Sequence, residues 1–98
     1  MITKSFYNNG RTCRVTFRHQ PVHDADSVYL VNNQDDWDKT ARPMSRRKDG
    51  SFSTSLVLRS GTRFQFRYLV DGDTWVNDDQ ADEYVDKNYG GTDGVVVI

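Results

Sequence analysis

Apolar and polar residues alternate along most of the chain, and this period of two predicts β-strands rather than helices. The clearest run is Arg63–Val70, in which Phe64, Phe66 and Tyr68 point to one side and the residues between them to the other. The same alternation predicts further strands at Arg11–Arg18, Ser27–Val31, Phe52–Leu58, Thr74–Val76 and Val95–Ile98, with a weaker one within Ile2–Tyr7.

Short turn sequences separate these runs. Asn9-Gly10, Asp49-Gly50, Ser60-Gly61 and Asp71-Gly72 each contain residues that tolerate positive φ, as tight hairpins require. Because no window keeps a 3.6-residue period, the pattern permits at most one or two helical turns, near Asp79–Tyr84. Six to eight short strands with frequent turns predict an all-β fold, an antiparallel β-sandwich formed as a single domain of residues 1–98.

The composition limits the partners and the chemistry. The 98 residues carry a net charge of −1, which does not indicate nucleic acid as a partner. The single Cys13 excludes an internal disulfide. No apolar run reaches the roughly 18 residues of a membrane helix, and the first residues lack the apolar stretch of a signal peptide. We therefore expect a cytoplasmic protein with no membrane partner.

Motifs for metal binding and catalysis are weak. Asp71–Asp79 superficially suggests a calcium loop, but Trp75 and Val76 stand where an EF-hand needs an oxygen ligand and a glycine. His19 and His23 have the spacing of a zinc-binding helix, but the proline between them favours a loop. A nucleophile elbow and a phosphate-binding loop are both missing from the sequence. We expect no enzyme activity, no catalytic residue, no metal and no cofactor.

The two tryptophans are the most informative residues. Trp37 lies in the polar segment Asn32–Lys39, and Trp75 follows the polar turn Asp71–Asp73. One interpretation is structural: each indole folds back and covers the edge of a sheet. A flat indole can also stack on the apolar C–H face of a pyranose ring, while neighbouring polar groups bind the hydroxyls. Because a neutral polysaccharide requires no net charge, the tryptophans indicate sugar binding.

Basic residues leave two further alternatives. Basic residues on two strand faces and in one short run suggest a groove for single-stranded nucleic acid: Arg14, Arg18, Arg63, Arg67 and Arg46-Arg47-Lys48. A solvent-facing sheet and a solvated turn explain them more simply, so we expect no nucleic-acid partner. The face of Arg63, Gln65 and Arg67 also suits a protein partner, and the alternative function is a protein-interaction or regulatory module without sugar affinity.

From about Arg14 to Ile98 the order of elements resembles carbohydrate-binding module family 48. This family includes the glycogen-binding domain of AMP-activated protein kinase β subunits and the early-set domain that precedes the barrel of isoamylases. Small stand-alone bacterial proteins consisting of this domain are more similar still, and some carry a glycoside hydrolase label inherited from larger relatives. The resembling segments are Val15-Thr16-Phe17, Val28-Tyr29-Leu30-Val31, Trp37, Arg42-Pro43-Met44, Asp49-Gly50-Ser51-Phe52, Phe64–Gly72, Trp75, Asn77-Asp78 and Tyr89-Gly90-Gly91.

The resemblance implies an immunoglobulin-like, early-set sandwich that binds α-1,4-linked glucan (glycogen, starch or maltooligosaccharide) without catalysis, with a glycogen-metabolising enzyme as a further partner. It implies a glucan surface made by Trp37, Trp75, Arg67, Tyr89 and Asp93. Arg67 stands where the kinase module has lysine, and Asp93 where the family usually has asparagine.

The loop before Trp37 departs from the family. Asn32, Gln34 and Asp35 stand where the family usually has Gly, Phe and Asn. A fully buried Phe is worth about 1.5–3 kcal/mol. Its absence predicts a less firmly anchored Trp37 and weaker glucan binding.

Overall fold

The computed structural model describes residues 1–87 and 91–98, and within them the chain forms nine strands and one 3₁₀ turn. The strands are β1 (Ile2–Tyr7), β2 (Thr12–His19), β3 (Val28–Asn32), β4 (Ser45–Arg46), β5 (Phe52–Arg59), β6 (Arg63–Val70), β7 (Thr74–Val76), β8 (Glu83–Asp86) and β9 (Thr92–Val97), and the 3₁₀ turn is Asn33–Asp35. The described part of the chain has no helix with the length and hydropathy of a membrane span.

The strands form two antiparallel sheets. One has the order β1-β2-β5-β4, and the other has the order β3-β6-β9-β8, with β7 also pairing with β6. One edge of β6 pairs with β3, while the other is divided between β9 at Arg63–Phe66 and β7 at Tyr68–Val70. Side chains on β6 therefore meet neighbours from three strands.

Aromatic side chains join the two sheets. Phe17 of β2 is fully buried, and its ring centroid lies 4.9 Å from that of Phe66 and 5.5 Å from that of Phe64, both on β6. Since β2 and β6 belong to different sheets, these contacts hold the layers face to face over one core. The predicted antiparallel β-sandwich is confirmed, and its buried faces are those that the alternation indicates.

Edge strands account for the difference from the predicted elements. The nine strands of the described residues exceed the expected six to eight, because β4 and β8 are short segments without clear alternation. The helical turn expected near Asp79–Tyr84 is wrong, since Glu83 begins β8. Backbone pairing of β8 along β9, in the register Val85↔Asp93, overrides the weak local preference of this acidic segment.

The contact between the sheets leads to a stability prediction. Phe17→Ala should lower the free energy of unfolding by about 3–5 kcal/mol, because it removes the ring that packs on Phe64 and Phe66. Val57→Ala, on β5 of the same sheet but 50% exposed, should cost less than about 0.5 kcal/mol. Urea unfolding of both variants measures this, and a Phe17→Ala loss as small as that of Val57→Ala contradicts the proposed packing.

Candidate functional site

A groove of about 290 Å³ lies on the outer face of the five-stranded sheet, away from the core. Its lining comes from β3, the loop after β3, β6, β7, the residue after β8, and β9: Val31, Trp37, Lys39, Arg67, Trp75, Lys87 and Asp93. The structure thus brings together Trp37, Trp75, Arg67 and Asp93 from the sequence-predicted set. Tyr89, the fifth member, lies outside the described residues.

Strand pairing sets the floor of the groove. Phe66 and Tyr68 point into the core, so Arg67 between them points outward. Arg67 pairs with Val31 of β3, and Trp75 pairs with Leu69, two residues further along β6. Trp75 is 42% exposed, and the Arg67 guanidinium carbon lies 5.9 Å from the centroid of its ring.

A buried carboxylate lies beside this floor. Asp93 is fully buried, and its Oδ1 accepts a hydrogen bond from Arg67 Nε at 2.6 Å. Lys87 Nζ lies 3.1 Å from Asp93 Oδ2, within ion-pair distance, yet Oδ2 accepts no hydrogen bond of good geometry in the described residues. The contact between Lys87 and Asp93 is thus an ion pair without a hydrogen bond. A buried carboxylate needs such partners, and one acceptor position remains at the groove.

Each indole has a lysine ammonium beside it. Lys87 Nζ lies 3.4 Å from the ring centroid of Trp37, and Lys39 Nζ lies 5.8 Å from that of Trp75, both within the range of cation–π contacts. Sequence reasoning missed both lysines, because a single surface lysine carries no pattern. Lys39 follows Trp37 by two residues but approaches the other tryptophan, so only the folded loop reveals its place.

A polar network holds the loop that carries Trp37. The buried Asn32 accepts a hydrogen bond from the Asp35 N–H at 2.9 Å and donates to the Leu30 carbonyl at 3.2 Å and to the Asp35 carboxylate at 2.8 Å. Arg42 donates to the same carboxylate at 3.0 and 3.3 Å. This hydrogen bonding, led by that of Arg42, holds the pKa of Asp35 below its usual range. The loop thus has a polar anchor in place of the missing apolar one.

The backbone at Trp37 is strained. Asp36 and Trp37 have φ of 53° and 59°, a left-handed conformation that is rare for bulky residues and costs roughly 1–2 kcal/mol per residue. The Trp37 N–H donates to the Asn32 carbonyl at 2.9 Å, which helps to hold this conformation. Such strain is typical of binding sites, where surrounding contacts compensate for it.

Position 91 favours glycine, both for its backbone conformation and for its closeness to Arg67. Its φ is +82°, and a Cβ added there would lie 2.8 Å from both Nη1 and Nη2 of Arg67. A side chain at this position would therefore require the Arg67 guanidinium, which is bonded to Asp93 through Nε, to shift. A smaller recess of about 170 Å³, which Gly91 helps to line, shares Arg67 and Trp75 with the main groove. Trp75 therefore lines both the main groove and this smaller recess.

The groove does not have the donor set of a metal centre. Within residues 1–87 and 91–98, no three His, Cys, Asp or Glu side chains are grouped to hold an ion. His19, one of the pair weighed as zinc ligands, ends β2. The groove offers two stacking surfaces, three cationic groups and one carboxylate, a set suited to holding a polar ligand with flat apolar faces.

Comparison with known families gives one match. The family described as the glycogen recognition site of AMP-activated protein kinase matches residues 14–96, a range that includes every groove residue. No curated protein sequence matches the chain.

The polar anchor leads to a pH-dependent prediction. Because the pKa of Asp35 is lowered in the folded state, its carboxylate stabilises the fold above the unfolded pKa of about 3.9, and this contribution is lost as the pH falls through the lowered value. Asp35→Asn should therefore cost about 1 kcal/mol near neutral pH and much less near pH 2. Urea unfolding at both pH values measures the difference, and an equal cost at both would contradict the role of the charge.

The close approach at Gly91 is testable with a matched glycine. Gly91→Ala should cost about 1–2 kcal/mol for its positive φ and about 1–3 kcal/mol more for displacing Arg67 from Asp93. Gly61→Ala is the control, because its φ is +91° but nothing lies within 4 Å of an added Cβ. If urea unfolding gives both variants the same loss, the Arg67 contact contributes nothing to stability.

Proposed function

We propose that this chain, which belongs to the family of the glycogen recognition site of AMP-activated protein kinase, binds α-1,4-linked glucan in the groove between Trp37 and Trp75. The glucan class includes glycogen, starch and maltooligosaccharides, which share this linkage. Binding involves no reaction on the sugar. A glycogen-metabolising enzyme as a second partner and a cytoplasmic location stay predictions.

The observation that carries the proposal is that two tryptophans from separate segments, the loop after β3 and strand β7, line one open groove. Trp75 is 42% exposed and Trp37 is partly buried, and neither residue belongs to the core between the sheets. Large exposed aromatic surface is unfavourable in water unless a ligand covers it. The C–H face of a pyranose covers an indole without needing charge.

Polar groups beside the indoles can form hydrogen bonds with the hydroxyls of a pyranose ring. Asp93 Oδ2 accepts no hydrogen bond in the described residues, and it can accept one from a sugar hydroxyl once the Lys87 ammonium beside it moves aside. Arg67 uses Nε for Asp93, so its two terminal nitrogens are the donors that remain for a ligand. Arg67 thus holds the Asp93 carboxylate through Nε and binds the sugar through its two terminal nitrogens.

The size and charge of the groove support binding without hydrolysis. At about 290 Å³ it is near the lower limit of small-molecule sites, so it holds a short stretch of a chain while the rest lies in solvent. Glycoside hydrolysis needs two carboxylates about 5–10 Å apart. Among the described lining residues Asp93 is the single carboxylate, and it is paired with Arg67.

Titration with maltoheptaose tests the proposal. Tryptophan fluorescence should change saturably at millimolar sugar, and Trp75→Ala should weaken binding about ten-fold or more because the stacking surface is lost. Since that variant removes one fluorophore, calorimetry provides the affinity. Trp37→Ala should give a loss of similar size.

Phe6→Ala is the matched control. Phe6 is an aromatic residue of similar exposure, at 53%, but it lies on β1 in the other sheet, so its removal should leave the affinity unchanged. Cellohexaose, which has β-1,4 linkages, should bind more weakly than maltoheptaose. A flat titration with maltoheptaose, together with a co-purifying protein, would contradict the proposal and favour the protein-interaction alternative.

A further inference from the structure

The groove carries more positive charge than stacking on a neutral sugar requires. Lys39, Arg67 and Lys87 line it with Asp93 as the opposing charge, which gives 3 − 1 = +2 in a chain whose net charge is −1. Like charges gathered in one groove repel each other, and a neutral glucan does not relieve that repulsion. The two lysines are the excess, because Arg67 already neutralises Asp93.

Three carboxylates that are close in sequence to the groove residues have partners outside its lining. Asp35 pairs with Arg42, and Asp38 accepts hydrogen bonds from the N–H and hydroxyl of Thr40 at 2.8 and 3.0 Å. Asp86 accepts from the Thr92 hydroxyl at 3.3 Å. Within residues 1–87 and 91–98, Lys39 makes no ion pair, and its ammonium faces Trp75 instead.

We propose that the groove prefers a glucan carrying a phosphate monoester over the neutral chain, with Lys39 and Lys87 as the phosphate-binding residues. This inference rests on the proposed function, because the sugar ring still stacks on the indoles. A phosphate monoester carries a charge of about −1.5 to −2 at neutral pH and three acceptor oxygens. Its charge matches the excess of +2, and its oxygens match the ammonium donors.

Lys87 is able to change partners without leaving a buried charge unpaired. Its ammonium contacts the indole of Trp37 and Asp93 Oδ2, but its side chain is 34% exposed. When a phosphate draws the ammonium away, Arg67 still neutralises Asp93 through Oδ1, and a sugar hydroxyl can donate to Oδ2. The move also uncovers the face of Trp37 that the ammonium covers. A phosphorylated sugar therefore replaces both contacts of Lys87.

Calorimetric titration with two matched ligands tests the inference. Maltoheptaose and maltoheptaose with one phosphate monoester on a 6-hydroxyl are compared, and the phosphorylated sugar should bind roughly ten-fold tighter in low salt. In about 1 M salt, where the Debye length is about 3 Å, most of this advantage should disappear. Inorganic phosphate alone, without a ring to stack on the indoles, should compete only weakly.

Variants separate the lysines from the general charge of the protein. The double variant Lys39→Ala/Lys87→Ala should bind the two oligosaccharides with equal affinity, because both ammonium groups are gone. Lys48→Ala, which removes a lysine from a separate pocket formed by Arg18 and residues 45–49, should keep the ten-fold difference. Thermal unfolding of each variant checks that the fold is retained.

The outcomes distinguish this inference from the proposed function. Equal affinity of the wild-type protein for the two sugars overturns the phosphate preference and leaves glucan binding standing. Binding of the phosphorylated sugar alone supports the preference and contradicts the proposed binding of neutral glucan. Absence of binding by both sugars overturns both proposals, and tight binding of inorganic phosphate alone overturns the glucan-linked form of the preference.

Discussion

The ion pair between Arg67 and Asp93 is the interaction on which the groove depends. A carboxylate with no solvent exposure would destabilise the outer face of the sheet if it were unpaired. Its bond to Arg67 Nε joins β6 to β9 and fixes the guanidinium beside Trp75. Gly91, which has no side chain, leaves space for that guanidinium. The absence of a Cβ at Gly91 and the ion pair with Asp93 therefore hold Arg67 in the same position.

The five-stranded sheet and the loop after β3 position different parts of the site. The hydrogen-bonded strands of the five-stranded sheet position the charged floor, and the packed core behind them limits its movement. Trp37 comes from a loop, and its left-handed backbone is held by the buried Asn32 and the Asp35–Arg42 pair. A rigid scaffold that carries adaptable loops is a common arrangement for recognition.

The fold was predictable where burial repeats every second residue, and much less so at the edges. Arg63–Val70 alternates so regularly that its buried face follows directly from the pattern, whereas the edge strand Glu83–Asp86 has no clear alternation of its own and forms by pairing with β9, the next strand along the chain. Trp37 and Trp75 stood out as aromatic residues in polar surroundings. Lys87 did not, because its position depends on the folded approach of β8 to the loop after β3 and on no local pattern.

The most direct test of the glucan site is a map of the residues that respond to maltoheptaose in ¹⁵N–¹H NMR spectra. If the groove binds the sugar, the indole N–H signals of Trp37 and Trp75 and the side-chain N–H of Arg67 should shift together and saturate at one affinity. The amide signals of the opposite sheet, formed by β1, β2, β4 and β5, should not shift. Shifts concentrated on that opposite sheet, or one tryptophan responding without the other, would contradict a shared site.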